Sequence, residues 1–359
     1  MIRVGLVGFG LGGRVFHAPL ISSVEGLELA AVFERTTGKA AERYPGVVTY
    51  RSLDAMLADD SLGLLVVTTP NGTHFDLARQ ILHAGKNVVV DKPMAVTSAE
   101  IAELIRLAAG KNLLLAPFHN RRWDSDFQTV QKLLHEGSLG RLVSFESALD
   151  RWRRSTRVPW KDDPAQGGGN LLDHATHLAD QALVLFGKPE AVSAEVLRER
   201  DGEGADDAFT LRLRYPGVSV AVAANSLAMF PRPRFHLRGT HGDYLKWGVD
   251  PQEAALNKVT RIDDPAWGRE PQADWGSLRI DIDGGTVTRP VEPAPGDYRR
   301  YYEGIRDALL GKAPAPVTGV DAWRMARLLE WAVESSEKRR EIACDWSGEP
   351  RESTITHSA

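Results

Sequence analysis

Short, continuously apolar runs alternate with helical stretches through the first third of the chain. "RVGLVGFG", "LELAAVFE", "LGLLVVTTP", "NVVVDKP" and "LLLAPFH" read as strands, separated by helices in "FHAPLISSVE", "GKAAERY", "THFDLARQILHAG" and "SAEIAELIRLAAGKN". A strand that is apolar at successive positions must be covered on both faces, so the pattern predicts an α/β, doubly wound parallel sheet ending near residue 120.

The rhythm then changes. After a helix in "SDFQTVQKLLHEG" come six strands, "RLVSFESALDR", "AVSAEVLRER", "DAFTLRLRY", "VSVAVAANSL", "RFHLRGT" and "DYLKWGV", some joined by hairpin links such as "YPGV" and "GTHGD". Helices return in "YRRYYEGIRDALLG" and "VDAWRMARLLEWAVESSEK". This predicts a dinucleotide-binding domain over residues 1–120 and an α+β domain over 121–359, the latter built on a large open, mostly antiparallel sheet. A broad sheet face with few covering helices is expected to be apolar and to be covered by another subunit, as a homodimer or homotetramer. "DDPAWGREPQADWG" reads as a long loop and "SGEPRESTITHSA" as a frayed tail.

Composition narrows the function classes. The 359 residues carry 44 Lys and Arg against 48 Asp and Glu, a net charge of −4, with no basic run that would suit nucleic acid or an anionic membrane. A single cysteine, Cys344, excludes an internal disulfide or a multi-cysteine metal site. No apolar run approaches the ~18 residues of a membrane span. The chain enters a strand at once, without a signal-like segment, and is expected to be cytoplasmic.

"GFGLGG" places Gly8, Gly10 and Gly13 in G-x-G-x-x-G spacing between a strand and a helix. The first glycine permits a tight turn and the second lets backbone approach a pyrophosphate. The third lets helix and strand pack closely, so the first domain is expected to be a Rossmann domain holding NAD or NADP. Two signals conflict over which. Glu34 at the end of the second strand suits the ribose hydroxyl of NAD, whereas Arg35 and Thr36 suit the phosphate of NADP. Thr69, Pro70, Asn71 and His74 end the third strand, and Asp91 and Lys92 the fourth, where ligands of open parallel sheets sit. Apart from the glycine loop, Lys92 would read as a surface lysine paired with Asp91.

"GGGNLLDHATHLADQAL" opens on three glycines and then predicts a helix from about Asn170 to Leu185. On it Asp173, His177 and Asp180 share one face at i, i+4 and i+7, while His174 is turned by about 100°. Zinc would need a third protein ligand that the pattern lacks, so no metal is expected. A carboxylate one turn before a histidine can orient and tune it for proton transfer; the plainer alternative is a helix N-terminus with a core histidine.

With these motifs in order, the chain resembles the Gfo/Idh/MocA oxidoreductases over nearly its whole length: "GFGLGG", "TTPNGTH", "AGKNVVVDKP" and "GGGNLLDHATHLADQALVLFG". The resemblance implies catalytic roles for Lys92, Asp173 and His177, and a cis Lys92–Pro93 bond. It also implies a dehydrogenase acting on a secondary alcohol of a sugar or cyclic polyol. "FHNRRWDSDF" and "DRWR" resemble the branch with NADP-dependent scyllo-inositol dehydrogenases, which favours NADP. His119, Asn120, Arg121, Trp123 and Arg151, with Asp173 and His177, are then the expected substrate contacts. Ala175 replaces a usual glycine, His174 is a variant, and Pro159 and Lys161 replace two arginines of that branch. Regulatory relatives without turnover, and relatives that cleave glycosides with tightly held NAD, are the alternatives.

Overall fold

The computed structural model describes residues 1–155, 158–258 and 262–351. Six parallel strands form the first sheet: Ile2–Val7 (β1), Leu27–Phe33 (β2), Val48–Tyr50 (β3), Leu64–Val67 (β4), Asn87–Val90 (β5) and Leu115–Pro117 (β6). Their order is β3-β2-β1-β4-β5-β6, so the chain reverses direction across the sheet between β1 and β4. In β4 every residue is buried, as are three of four in β5 and four of six in β1, as their continuous apolar runs require. β3 is the strand the pattern did not show. Its three residues are too few to set a period.

The second sheet has nine strands rather than six. These are Leu142–Ala148 (β7), Ala191–Leu197 (β8), Ala208–Tyr215 (β9), Val218–Asn225 (β10), Phe235–Gly239 (β11), Gly242–Lys246 (β12), Gly276–Ile282 (β13), Gly285–Val291 (β14) and Ile342–Ala343 (β15), in the order β14-β13-β12-β11-β7-β10-β9-β8-β15. All neighbours are antiparallel except β7 and β10. β13 and β14 had a visible signal, an Asp-Gly turn at Asp283 and Gly284 with φ of 52° and 81°.

Two helices tie the domains together. Gly319–Lys338 starts with a capping box between Thr318 and Asp321, then packs on β8 and on the first domain's helix Ser98–Lys111. Its Glu330 carboxylate accepts from both the backbone N–H and the hydroxyl of Ser98, each at 2.7 Å. Arg299–Leu309 returns to the first sheet, where Tyr301, Tyr302 and Ile305 are fully buried in one core with Leu6, Val66 and Phe118.

Two further expectations change. The segment 263–276 is irregular but not loose, because Trp267 is buried in that core and Glu270 pairs with the fully buried Lys246 at 2.7 Å. The start of the expected frayed tail is pinned, Glu349 bonding to Arg324 at 2.7 Å and Lys188 at 2.5 Å; residues 352–359 lie outside the described residues. Among the described residues no helix is long and apolar enough to cross a membrane.

Candidate active site

The glycine loop follows β1. Gly8 has φ of +100°, a conformation that side chains disfavour, and a Cβ on Gly13 would lie 2.6 Å from the Gly8 carbonyl. Nothing lies within 4 Å of where a Gly10 side chain would be, so this backbone is open to an incoming phosphate. The helix that follows begins as a π-helical turn over Gly12–His17 before becoming α-helical at Ala18–Ser23. Glycines required by the backbone beneath an open approach fit a dinucleotide.

Around this loop the expected cofactor contacts separate into two groups. Arg35 and Thr36 are exposed at the end of β2. Glu34, by contrast, is buried, and its carboxylate accepts from the Thr37 hydroxyl and from the Ala40 N–H at 3.0 Å. It closes its own loop instead of facing a ribose. Arg51, which the sequence did not single out, donates to the carbonyls of Glu34 and Thr37 and ties that loop together. Thr69 and Pro70 reach the surface, but Asn71 and His74 are buried and committed within the protein. The Asn71 amide donates to the Gly167 carbonyl at 2.8 Å, and the His74 ring nitrogens lie 2.8 and 2.7 Å from the carbonyls of Pro93 and Thr69. Asp91 accepts from the Lys92 N–H at 2.8 Å and faces His17, whose Nδ1 is 2.6 Å from the Tyr302 hydroxyl.

Lys92, at the end of β5 and before a cis bond to Pro93, crosses to the second domain. Its Nζ donates to both the Asp173 carboxylate and the Asp173 carbonyl, each at 2.7 Å. Asp173 lies on a second π-helical turn, Leu171–Ala175, which precedes the α-helix Thr176–Phe186. The regular helix expected from about Asn170 to Leu185 is therefore broken at its start, and this turn offers side chain and carbonyl to the same ammonium. The other Asp173 oxygen accepts from Lys161 at 3.0 Å. Gly168 and Gly169 permit the packing: a Gly168 Cβ would meet the Lys161 carbonyl at 2.6 Å, and Gly169 has φ of +109°.

This geometry corrects the expected partnership. Asp173 binds the two lysines and makes no hydrogen bond to His177. Asp180 leaves the shared face too, its carboxylate gripped by Arg122 at 2.6 and 2.8 Å. His177 is buried with an unpartnered Nδ1, as are His174 Nδ1 and both ring nitrogens of His119. Burial raises the Asp173 carboxyl, but the Lys92 and Lys161 charges and the hydrogen bond from Lys92 outweigh it and hold the group well below the usual range. For His177 burial and the neighbouring Lys92 and Arg121 charges act together, so the imidazole stays neutral.

The expected substrate contacts also divide. Arg121 is buried and paired with Asp124 at 3.2 Å and with Glu253. Trp123 is partly exposed at the margin of the core, where it packs edge-on against Tyr301 at 5.8 Å. Asn120 is buried; Arg151 is partly buried at the end of β7, and no side-chain partner holds it among the described residues. Glu253, within electrostatic reach of Arg121, Arg151 and Lys92, was missed: it rides on the short helix Gln252–Asn257, whose sequence carries no motif. Ala175 is fully buried. Among the described residues no three metal-ligating side chains converge.

Together these features define an oxidoreductase built on an NAD-binding Rossmann domain, and the chain belongs to the Gfo/Idh/MocA oxidoreductase family. Residues 2–119 match the family's "NAD-binding Rossmann fold" and residues 131–344 its "C-terminal alpha/beta domain". It is 39% identical to the uncharacterized oxidoreductase YdgJ of Escherichia coli, covering 94% of this chain and 97% of that one. It is 33% identical to scyllo-inositol 2-dehydrogenase (NADP(+)) IolW of Bacillus subtilis, covering 95% of each. The solved YPO2259 protein of Yersinia pestis superposes with a TM-score of 0.90 at 41% identity, covering 95% of this chain and 97% of that one.

His174 provides a test of the buried cluster through stability. Burial, with the Arg151, Lys92 and Lys161 charges, outweighs the pull of Asp173 and pushes the imidazole down to about 3, against 6.5 when exposed. Below pH 6.5 the unfolded chain takes up a proton that the native state refuses, so native stability is lost as pH falls from there toward 3. His174→Gln removes this penalty and should gain on wild type by about 1.4 kcal/mol per pH unit below 6.5. Asp206 and Asp250, raised to about 6 by burial, act in the opposite sense but equally in both proteins. Urea titrations at pH 7.5 and 5.0 measure the difference; equal differences at both pH values would refute a neutral His174.

Proposed function

We propose that the chain is an NADP-dependent dehydrogenase acting on a secondary alcohol of a sugar or cyclic polyol. The observation that carries this reading is the Lys92–Asp173 contact, which sets an ammonium at the carboxyl end of the parallel sheet beside the buried, neutral His177. The nicotinamide would supply the hydride acceptor or donor, held by the Gly8–Gly13 loop and the strand-end segment from Thr69. Lys92 would polarise the reacting hydroxyl and stabilise the negative charge that develops on its oxygen. His177, uncharged, would accept the hydroxyl proton during oxidation and return it during reduction. Asp173 would act on Lys92, fixing the ammonium through two acceptors. His177→Asn is expected to slow turnover by about 10²- to 10⁴-fold while cofactor affinity by fluorescence titration stays near wild type. Lys92→Met should lower kcat more than it raises KM. A His177→Asn enzyme retaining over half the normal rate would sink the assignment.

Cofactor choice rests on the end of β2. The Glu34 carboxylate is spent on Thr37 and Ala40, while Arg35 stays exposed and able to grip a phosphate with two parallel N–H donors. The similarity to IolW, a dehydrogenase named for NADP(+), supports the same choice. A charge-assisted bond is worth about 1.5–3 kcal/mol, so Arg35→Ala should cut the NADP-over-NAD ratio of kcat/KM by roughly 10- to 100-fold. A wild type that prefers NAD and ignores the change would reverse the choice.

The uncovered face of the second sheet is the proposed subunit interface, with a correction to its character. It carries Glu146, Glu195, Thr210, Arg212, His236 and Arg238 among Ala221, Ala223, Leu245 and the exposed Leu197, a mixed field rather than an apolar one. Charges of both signs on one face can complement their own copies about a two-fold axis, and Phe230, 96% exposed, adds an apolar anchor at the rim. Multi-angle light scattering should give a homodimer or homotetramer, and Glu195→Arg should shift it toward monomer. A stable wild-type monomer at micromolar concentration excludes the interface.

A further inference from the structure

His17 has no part in the chemistry above, yet it is fully buried beside the site. Its imidazole packs on the ring of Phe118, with centroids 4.2 Å apart, and stands between two oxygen groups. On one side Nδ1 is 2.6 Å from the hydroxyl of Tyr302, which the second-domain helix Arg299–Leu309 brings into the first domain. On the other side Nε2 lies 3.5 Å from Asp91 Oδ2, and among the described residues no other acceptor meets it.

The direction of these contacts follows from burial. Burial, with Tyr301 and Asp91 close by, keeps the Tyr302 hydroxyl protonated. Tyr302 therefore donates to Nδ1, which leaves the ring proton on Nε2, facing the Asp91 carboxylate. An N–H left unpaired in a core is costly, so the carboxylate is its acceptor. Burial raises the Asp91 carboxyl, but the group is held below the usual range, and the contact with His17 is the largest of the opposing influences.

The π-helical turn Gly12–His17 lets one carboxylate meet both of its ends. In an α-helix residues five apart are turned by about 140°, whereas a π-turn closes on the fifth residue and brings the two together. Gly12 lies so near that a Cβ there would stand 2.9 Å from Asp91 Oδ2. The Asp91 side chain is 24% exposed, while His17 and Tyr302 are sealed, so the open end of this series lies between Gly12 and Lys92. A carboxylate in that place repels phosphate oxygens and favours hydroxyl donors. Of the two riboses of a dinucleotide, one belongs at the end of β2; the other travels with the nicotinamide toward Lys92.

We infer that His17 and Tyr302 are positioning residues: they aim the Asp91 carboxylate at the hydroxyls of the ribose that bears the nicotinamide, and so hold that half of the cofactor at Lys92. This rests on the dehydrogenase reading above and adds two residues to it. The second domain thereby takes part in cofactor binding, through the hydroxyl of Tyr302.

Calorimetry on the full-length protein tests this by comparing NADP with 2′,5′-ADP, which lacks the nicotinamide mononucleotide half. If NAD binds more tightly than NADP, NAD and AMP serve in the same way. Tyr302→Phe keeps the ring and removes one oxygen; it should weaken NADP by about 3- to 10-fold and leave 2′,5′-ADP within about twofold. His17→Leu should weaken NADP by about tenfold or more, with the fragment again unmoved. His17→Gln, which can offer an N–H to Asp91, should recover part of that loss. In an Asp91→Asn background His17→Leu should add less than about twofold, because a residue that acts through Asp91 has nothing left to aim. Equal weakening of cofactor and fragment, no weakening by Tyr302→Phe and His17→Leu, or a His17 effect undiminished by Asp91→Asn overturns the inference and leaves the dehydrogenase reading standing. If His17→Leu does not fold, Tyr302→Phe decides alone. A wild type that binds neither NADP nor NAD overturns the dehydrogenase reading, and this inference with it.

Discussion

One contact organises the molecule: the Lys92 ammonium held by the carboxylate and the carbonyl of Asp173. It joins the end of a buried parallel strand to the first turn of a helix in the other domain. Removing Asp173 would take from Lys92 its carboxylate partner, and removing Lys92 would leave Asp173 with Lys161 alone, so the contact favours the arrangement in which the two domains meet here. The helix Gly319–Lys338 supports that arrangement from outside, through Glu330 on Ser98 and Asp321 beside Arg122. The site is thus made by domain apposition.

The same contact sets the electrostatics of the cleft. With Asp173 ionised between two lysines, the neighbouring histidines face cations in a dry environment and remain uncharged. A neutral imidazole beside an ammonium is the combination that proton removal from an alcohol requires.

Backbone geometry contributes through two π-helical turns, Gly12–His17 and Leu171–Ala175. One follows the open Gly10 backbone; the other turns Asp173 toward Lys92. Both lie where a helix begins close to a ligand cleft, and both are wider than an α-turn, so groups that a regular helix would aim elsewhere are brought to the cleft.

Periodicity and glycine spacing by themselves determined the doubly wound first domain, the strand-rich second domain and the stretch that carries Asp173 and His177. Continuous apolar strands have one way to be buried, and Gly8 and Gly13 answer local backbone demands, so these features are written in short segments. The names of the catalytic candidates were legible too, through motif order. Which of them touch was decided only in three dimensions. Glu34 is spent on its own loop, Trp123 on Tyr301, Asn71 and His74 on neighbouring carbonyls, and Asp180 on Arg122, because each found a partner distant in sequence or a turn that spacing does not encode. Lys161 and Glu253 entered the site for the converse reason, from segments without a motif, placed there by packing between elements. A side chain's chemistry is local, but its partner is chosen by the burial of the whole chain.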